Sequence, residues 1–194
     1  MGFIDRLLWQ AFGVPAGLLG RIGGRVMAGR RQRAIAEHVA ELLQVQREDK
    51  VLEIGFGPGV GIQCLSERIR GEGLIVGIDP SDVMMQMAKA RNAGAIEKGT
   101  VKLLSGTVEH IPWESEFFDK AYAMNSFHLW PDKAAGLSEV RRVLKPGGRL
   151  ALSFYGPAER EITPDSVRAD LEQSGFREIE ETKEELVLYV TARK

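Results

Sequence analysis

The sequence predicts an α/β fold, a doubly wound and mostly parallel sheet of seven strands that ends in an antiparallel hairpin. Short apolar segments alternate with segments of helical periodicity from residue 50 to about residue 155, which is typical of parallel β-α-β units with right-handed crossovers. The first apolar segment leads directly into a glycine-rich stretch. The last two segments, 176–182 and 185–192, are separated by so few residues that they must pair antiparallel.

The first 33 residues are predicted to form an arm in front of a single domain that covers residues 34–194. Residues 3–12 and 16–28 have the pattern of two short amphipathic helices, interrupted by Gly13-Val14-Pro15. The arm carries six arginines and one aspartate, although the whole chain has a net charge of −1. Its apolar face favours a lid over a substrate pocket, and peripheral contact with a membrane surface is the alternative.

The composition and the start of the chain favour a cytoplasmic protein. No window approaches the roughly 20 apolar residues that a membrane span needs, and the apolar start is too interrupted for a secretory signal. Cys64 is the only cysteine, so no intrachain disulfide can form, as is usual in a reducing compartment. A nearly neutral net charge gives no reason to expect a nucleic-acid partner. The oligomeric state is left open.

The elements of the first half follow from periodicity. Apolar residues at helical spacing predict the helices, and short β-branched runs predict the strands. In chain order these are a helix over 33–43, a strand over 50–54, a helix through Ile62, Leu65 and Ile69, a strand over 74–79, a helix over 81–91 and a strand over 101–104.

The second half continues the alternation and then changes. A strand over 118–124 is followed by a helix over 134–144, which the sequence Lys145-Pro146-Gly147-Gly148 should stop. A strand over 149–155 completes the parallel part. A helix over 164–174 then leads into the hairpin, whose last strand is apolar on both faces.

The stretch Gly55-Phe56-Gly57-Pro58-Gly59 predicts a cradle for a nucleoside cofactor. It joins a strand to a helix, where glycines permit close approach and the helix start offers free amides. Val60 stands where a dinucleotide fingerprint needs glycine or alanine, and Pro58 lacks an amide, so the spacing fits a cofactor without phosphates better than NAD. Asp79 ends the next strand, about twenty residues later, where an acid can accept hydrogen bonds from ribose hydroxyls. A purely structural turn, and a capping role for Asp79, are the alternatives.

Polar residues follow several of the predicted strands at their carboxyl ends. Ligands of doubly wound sheets bind outside these ends. Glu53, Asp79, Thr107 and Asn125 are therefore expected to lie at one edge of the sheet.

Several motifs, in the expected order, resemble those of class I S-adenosylmethionine-dependent methyltransferases, over about residues 45–192. VLEIGFGPG (51–59) resembles the first motif of this family and GIDPS (77–81) the second. The remaining matches are SGTVEHIP (105–112) for the loop that holds the adenine, FDKAY (118–122) for the fourth strand, RVLKPGG (142–148) for the turn before the fifth, and LEQSGF (171–176) for the approach to the hairpin.

The resemblance implies a Rossmann-like methyltransferase fold, S-adenosylmethionine as cofactor and S-adenosylhomocysteine as product. It also implies roles for individual residues. The methionine part of the cofactor would lie over Gly55, Phe56, Gly57 and Gly59, with its amino group near Glu53. Asp79 would hold both ribose hydroxyls, and the adenine would be bordered by Pro80, Ser81, Met84, Thr107 and Val108. The methyl group would face Asn125 and Ser126. The family often has an acid at the position of Thr107; a threonine can still accept a hydrogen bond, and Glu109 is an alternative for that contact.

Methyl transfer from a sulfonium is a direct displacement that depends mainly on positioning. A base is needed only if the acceptor starts protonated. His128, with Asn125 beside it, is the best catalytic candidate, and a packing role beside Trp130 is the alternative. His38 and His110 are expected to be incidental.

We expect a small-molecule acceptor, with a lipid head group as a further possibility. No cluster of acids and histidines indicates a metal site. Two other functions stay open at this point: a non-catalytic S-adenosylmethionine-binding protein and a nicotinamide-dependent oxidoreductase.

Overall fold

The structure is a computed structural model, and it describes residues 29–155 and 162–194. The strands are β1 (Lys50–Ile54), β2 (Leu74–Asp79), β3 (Val101–Ser105), β4 (Phe118–Met124), β5 (Leu144–Tyr155), β6 (Arg177–Glu184) and β7 (Val187–Arg193). The helices are α1 (Arg30–Leu42), α2 (Val60–Ser66), α3 (Asp82–Arg91), α4 (Ala93–Glu97), α5 (Lys133–Val143) and α6 (Pro164–Gln173), with a 3₁₀ turn at Phe127–Leu129. The two helices predicted within residues 1–28 lie outside the described residues.

The seven strands form one sheet in the order β3-β2-β1-β4-β5-β7-β6. Pairing is parallel from β3 through β5, and β7 is antiparallel to both β5 and β6. This confirms the predicted doubly wound, mostly parallel sheet with a terminal antiparallel hairpin. The strand order reverses between β1 and β4, which is where such sheets bind their ligands.

Apolar residues cover both faces of the sheet, as parallel strands require. In β1, Leu52 and Ile54 belong to the cluster that includes residues of α5 and α6. Val51 belongs to the opposite cluster, with residues of α1, α2 and α3. Glu53 shares the face of Val51, so the sequence alternation of β1 buries a carboxyl group inside the second cluster.

The starts of three helices are capped by side chains, as their sequences favour. Ser81 accepts a hydrogen bond from the N–H of Met84, Asp132 from that of Ala135, and Thr163 from that of Ser166. No helix within the described parts of the chain is long and apolar enough to cross a membrane.

Several predicted boundaries are wrong. Helix α2 ends at Ser66, before Ile69, because the chain turns so that the N–H of Arg70 bonds to the Arg47 carbonyl. Helix α4 was not predicted, since its five residues are too few to show periodicity.

The largest boundary difference concerns the segment Lys145–Gly148, predicted as a helix stop and observed inside β5. Phe118 pairs with Leu144 and Lys120 with Arg149, so the segment forms a bulge between two paired positions. Gly147 has φ +76° there. In the hairpin, Glu185 and Leu186 form the turn, and β7 therefore starts two residues later than predicted.

Candidate functional site

The glycine loop after β1 takes left-handed backbone conformations, with φ of +71° at Gly55, +52° at Gly57 and +78° at Gly59. A Cβ at Gly55 would lie 2.6 Å from the Cβ of Ser126, and one at Gly59 would lie 2.6 Å from the Nδ2 of Asn92. A Cβ at Gly57 would meet no atom of the described residues within 4 Å. Gly55 and Gly59 therefore allow close packing, whereas Gly57 faces open space.

Asp79, at the end of β2, joins two turns through its carboxylate. Oδ2 accepts a hydrogen bond from the N–H of Gly57 at 2.9 Å, and Oδ1 accepts one from the N–H of Ser81 at 2.9 Å. Burial raises the pKa of Asp79, and these two hydrogen bonds oppose the rise. Ser81, not Asp79, is the N-cap of α3. The buried acid thus lies directly beside the exposed side of the glycine loop.

Two residues at the end of α3 hold the other side of the glycine loop. Nε of Arg91 donates to the carbonyl of Pro58 at 2.9 Å, and Nδ2 of Asn92 donates to that of Gly59 at 3.1 Å. The first contact satisfies the carbonyl of Pro58, and the second adds to the bond that the Gly59 carbonyl accepts from the N–H of Gln63. No local pattern indicates these contacts, because each residue lies 33 positions from its partner.

Glu53 lies beneath the loop, 1% exposed, on the strand that leads into it. Its Oε2 accepts a hydrogen bond from the hydroxyl of Tyr122 at 2.7 Å. Burial raises the pKa of Glu53 to about 8; the nearby Asp79 adds to the rise, and the hydrogen bonds from Tyr122 and from the N–H of Ile62 oppose it. Tyr122 was not predicted as a site residue.

Asn125 and Ser126 connect the carboxyl ends of three neighbouring strands. Asn125 has φ +54°, its N–H donates to the carbonyl of Ser153 at 2.8 Å, and its Oδ1 accepts from the N–H of Tyr155 at 2.9 Å. Oγ of Ser126 donates to the carbonyl of Ile54 at 2.7 Å. Ser126 therefore lies next to Gly55, and Asn125 is bonded to β5, so both predicted residues have fixed orientations.

The loop after β3 brings Thr107 and Val108 to the same edge of the sheet. Val108 is buried close to Gly136 of α5, whereas Thr107 is exposed. The hydroxyl of Thr107 bonds to the carboxylate of Glu109. Glu109 in turn accepts a hydrogen bond from the N–H of Asp132 at 3.2 Å, so it links this loop to the segment that follows β4.

Arg142 of α5 anchors the rest of this loop. Its guanidinium donates to the carbonyls of Ile111, at 2.9 Å, and Trp113, at 2.8 Å. It also pairs with Glu139, whose second oxygen accepts from the N–H of Ile111 at 3.0 Å. The arginine of the RVLKPGG motif thus orders the loop that carries Thr107 and Val108.

The remaining predicted residues differ in exposure. His128 lies half-buried on the 3₁₀ turn directly after Ser126, and Pro80 is exposed at the start of the turn before α3. The side chains of Phe56 and Met84 are buried in the apolar core. In this conformation they offer backbone atoms rather than side chains to the cradle.

Two other histidines lie in different surroundings. His38 packs on the ring of Tyr189 at the interface of α1 and β7, and His110 is exposed in the loop after β3. Across residues 29–155 and 162–194, no group of three or more histidines, cysteines and acids lies close enough to hold a metal ion.

The geometry fits a nucleoside cofactor without phosphates. The open space over Gly57 lies beside the carboxylate of Asp79, which would repel a pyrophosphate, and the carboxyl group of Glu53 is buried beneath the loop. Carboxylates are suited to ribose hydroxyls and to an ammonium group. The polar ends of β4 and β5 meet at Asn125, directly before Ser126, whose side chain lies against Gly55, and they can position a second molecule.

Comparisons with known proteins agree with this geometry. A family model described as a methyltransferase domain matches residues 52–152. The chain is 32% identical over 184 residues to the uncharacterized methyltransferase YdaC of Bacillus subtilis strain 168, and the alignment covers 89% of this chain and 98% of that protein. It is 30% identical over 114 residues to a demethylmenaquinone methyltransferase of Staphylococcus epidermidis, covering 59% of this chain and 46% of that enzyme.

A solved structure shares the fold. The chain superposes on a SAM-dependent methyltransferase from Aquifex aeolicus with a TM-score of 0.80 and 21% identity, covering 89% of this chain and 97% of that one.

Proposed function

The chain belongs to the methyltransferase domain family and is an S-adenosylmethionine-dependent enzyme, and on that premise we propose that its methyl acceptor is a small molecule bound beyond the carboxyl ends of β4 and β5. The observation that carries the proposal is the double attachment of Asn125, which bonds to Ser153 and Tyr155 and directly precedes Ser126, the residue that lies against Gly55. A residue held in this way presents a preorganised surface to a small ligand. The likeness to a demethylmenaquinone methyltransferase also supports a small organic acceptor, although the chain spans less than half of that enzyme's length.

The chain's own residues have distinct tasks in this proposal. S-adenosylmethionine supplies, when bound, a methyl group on a positively charged sulfur. Gly57 leaves room for it, Asp79 accepts hydrogen bonds from its ribose, and Glu53 receives its amino group. The adjacent ends of β4 and β5 exclude water from one side of the acceptor, which strengthens the polar contacts there.

His128 is the proposed base for an acceptor that starts protonated. It lies two residues after Ser126, on the 3₁₀ turn that Ser126 precedes, and Ser126 is bonded to the strand that carries the glycine loop. In the proposed arrangement an imidazole nitrogen takes the proton from a hydroxyl of the acceptor as the methyl group is transferred. Asn125 orients the acceptor and moves no proton.

Transfer of a labelled methyl group tests the acceptor class. Wild-type protein is incubated with S-adenosylmethionine labelled on its methyl group and, separately, with small phenols and quinols, with phospholipid vesicles, and with protein and RNA mixtures. Label in a small molecule is the expected result. Label in the vesicles would support the lipid head group instead, and label in protein or RNA would contradict the proposal.

Substitution of His128 tests its role with whichever small acceptor is found. His128→Asn should lower kcat by about 10²–10⁴-fold and leave the dissociation constant of S-adenosylhomocysteine unchanged. His110→Asn, in an exposed loop position, is the matched control and should keep the wild-type rate. Equal rates for both variants would assign His128 to packing beside Trp130.

The N-terminal arm, residues 1–33, is proposed as the lid of this pocket. Residues 1–28 lie outside the described part, but α1 begins next to the site, because the guanidinium of Arg31 lies 5.4 Å from the ring centroid of Tyr155. Deletion of residues 1–28 should abolish turnover more than it weakens binding of S-adenosylhomocysteine. Equal loss of both would contradict the lid.

A further inference from the structure

Glu53 and Tyr122 form a buried polar pair between the two central strands. They are register partners in the parallel pairing of β1 with β4, and the hydroxyl of Tyr122 donates to Oε2 of Glu53 at 2.7 Å. Glu53 is 1% exposed and Tyr122 is fully buried. A phenylalanine would fill the same space, so the hydroxyl has a role that the apolar core does not need.

Both carboxyl oxygens of Glu53 lie close to the first turn of α2, the helix that directly follows the glycine loop. A Cβ at Gly61, in the first turn of α2, would lie 2.5 Å from Oε1 and 2.9 Å from Oε2 of Glu53. The N–H of Ile62 bonds to the same carboxyl group. Tyr122 thus holds Oε2 on the β4 side, and Oε1 lies nearest the first turn of α2, two residues beyond Gly59 of the glycine loop.

We propose that Tyr122 is a positioning residue for the methyl donor: its hydroxyl orients the buried carboxyl group of Glu53 so that it receives the α-amino group of S-adenosylmethionine. The inference rests on the proposed role of Glu53 in the site. Tyr122 touches neither the donor nor the acceptor and acts through Glu53.

Binding of an amino group to this carboxyl group changes the protonation state of Glu53. The titratable groups around the pair are Tyr122 itself on β4, Asp79 on β2, which acts on Glu53, and Cys64 on α2, which acts on Tyr122. None of the three is a cation, and burial favours the neutral acid in the free protein. A bound ammonium group favours the carboxylate. Binding therefore forms an ammonium–carboxylate pair, and the proton of Glu53 leaves to solvent.

Two adenosine ligands separate this role from a purely structural one. S-adenosylhomocysteine carries the amino acid part, whereas 5′-methylthioadenosine has the same adenosine and thioether without it. Tyr122→Phe should weaken binding of S-adenosylhomocysteine by about tenfold at neutral pH, because a hydrogen bond to a charged group is lost. It should leave 5′-methylthioadenosine binding unchanged. Tyr189→Phe, at a buried tyrosine in the same apolar cluster, is the matched control and should change neither.

The pH dependence of binding gives a second readout. Wild-type affinity for S-adenosylhomocysteine should rise by about twentyfold between about pH 6 and about pH 7.5, because the carboxyl group must lose its proton to bind. In Tyr122→Phe the rise should continue to higher pH, since the lost donor had favoured the charged form. In Glu53→Gln the rise should disappear, and adding Tyr122→Phe to Glu53→Gln should cause no further loss.

The outcomes distinguish the inference from the function on which it rests. Equal weakening of both ligands by Tyr122→Phe, or full additivity with Glu53→Gln, would assign Tyr122 to folding alone and overturn the inference. Strong binding of S-adenosylhomocysteine that is insensitive to both variants would overturn the roles of Glu53 and Tyr122 but leave the enzyme class intact. Failure of wild-type protein to bind either ligand would overturn the proposed site itself.

Discussion

The backbone N–H of Gly57 donates a hydrogen bond to Oδ2 of Asp79 at 2.9 Å. This bond connects the loop after β1 to the end of β2, and the other oxygen of Asp79 bonds to the turn before α3. One carboxylate therefore fixes both walls of the cradle before any ligand arrives. A site that is ordered in advance loses less conformational entropy on binding.

Asp79→Asn should disturb both walls. Asparagine offers one acceptor oxygen and an amide that cannot accept, so one of the two backbone N–H groups loses its partner. We expect S-adenosylhomocysteine affinity to fall by at least about tenfold and the free energy of unfolding by about 1–3 kcal/mol. Titration calorimetry and urea unfolding measure the two effects. Asp82→Asn, at an exposed position in the first turn of α3, is the control, and wild-type affinity in Asp79→Asn would contradict the assignment.

Gly57→Ala and Gly59→Ala should separate binding from folding. Both positions have positive φ, which costs a non-glycine residue about 1–2 kcal/mol. A Cβ at Gly59 would also lie 2.6 Å from Asn92 and 2.8 Å from Ala88, whereas one at Gly57 enters open space. We expect Gly59→Ala to lower the thermal midpoint far more than Gly57→Ala.

Binding of S-adenosylhomocysteine should instead be affected more by Gly57→Ala. Gly57→Ala places a methyl group in the space assigned to the donor, so it should fold and yet lose most of its affinity for S-adenosylhomocysteine. Circular dichroism melts and equilibrium dialysis on the same samples compare the two variants. A stable Gly57→Ala protein with unchanged affinity would show that the ligand lies elsewhere.

Local signals made most of the fold predictable. The bounds of β1, β2 and β4 were predicted to the residue, because each is a short β-branched or apolar run with polar or glycine neighbours. The bulge at Lys145–Gly148 was not, since its pairing depends on where β4 lies. Sequence patterns describe a residue's neighbours along the chain and not its partner across the sheet.

The same distinction holds for the site. The sequence indicated residues that a ligand would touch, because glycines and acids at strand ends have local signatures. It did not indicate Tyr122, Arg91 or Asn92, which hold the glycine loop and Glu53 in place across 33 to 69 positions. A tyrosine on an apolar strand looks like any core residue until its partner is seen.

The buried acid Glu53 should make the free protein less stable as the pH rises. The pKa of Glu53 is raised from 4.5 to about 8, mainly by burial. The stability it contributes is fully present below its unfolded pKa of 4.5 and is lost as the pH rises through about 8, because the folded state must then ionise a buried acid. We expect the unfolding free energy to fall by up to about 1 kcal/mol per pH unit between about pH 5 and about pH 8.

Glu53→Gln is the test of that dependence. Glutamine keeps an acceptor for Tyr122 and has no proton to lose, so the slope of stability against pH should largely vanish. Urea midpoints at matched pH values for the two proteins measure it. A wild-type slope of zero, or an unchanged slope in Glu53→Gln, would place the ionisation of Glu53 outside this pH window.

Arg142→Lys should loosen the loop that carries Thr107 and Val108. Arg142 donates to the carbonyls of Ile111 and Trp113 and pairs with Glu139 at the same time. A lysine ammonium on a flexible stem cannot make these contacts together, since it lacks the planar fork of the guanidinium. Because the side chain is about one-third exposed, the expected loss of stability is modest, about 1 kcal/mol.

Amide hydrogen exchange is the more sensitive measurement for this variant. Exchange at residues 107–113 should become faster in Arg142→Lys, while exchange in β1 and β4 stays at the wild-type rate, because the change is confined to one loop. Arg141→Lys is the matched control: it lies one position earlier on α5, and its one contact with the Gly175 carbonyl is long, at 3.4 Å. If the loop orders the adenine contacts, Arg142→Lys should also weaken S-adenosylhomocysteine binding. Faster exchange with unchanged affinity would show that the order of this loop does not contribute to ligand binding.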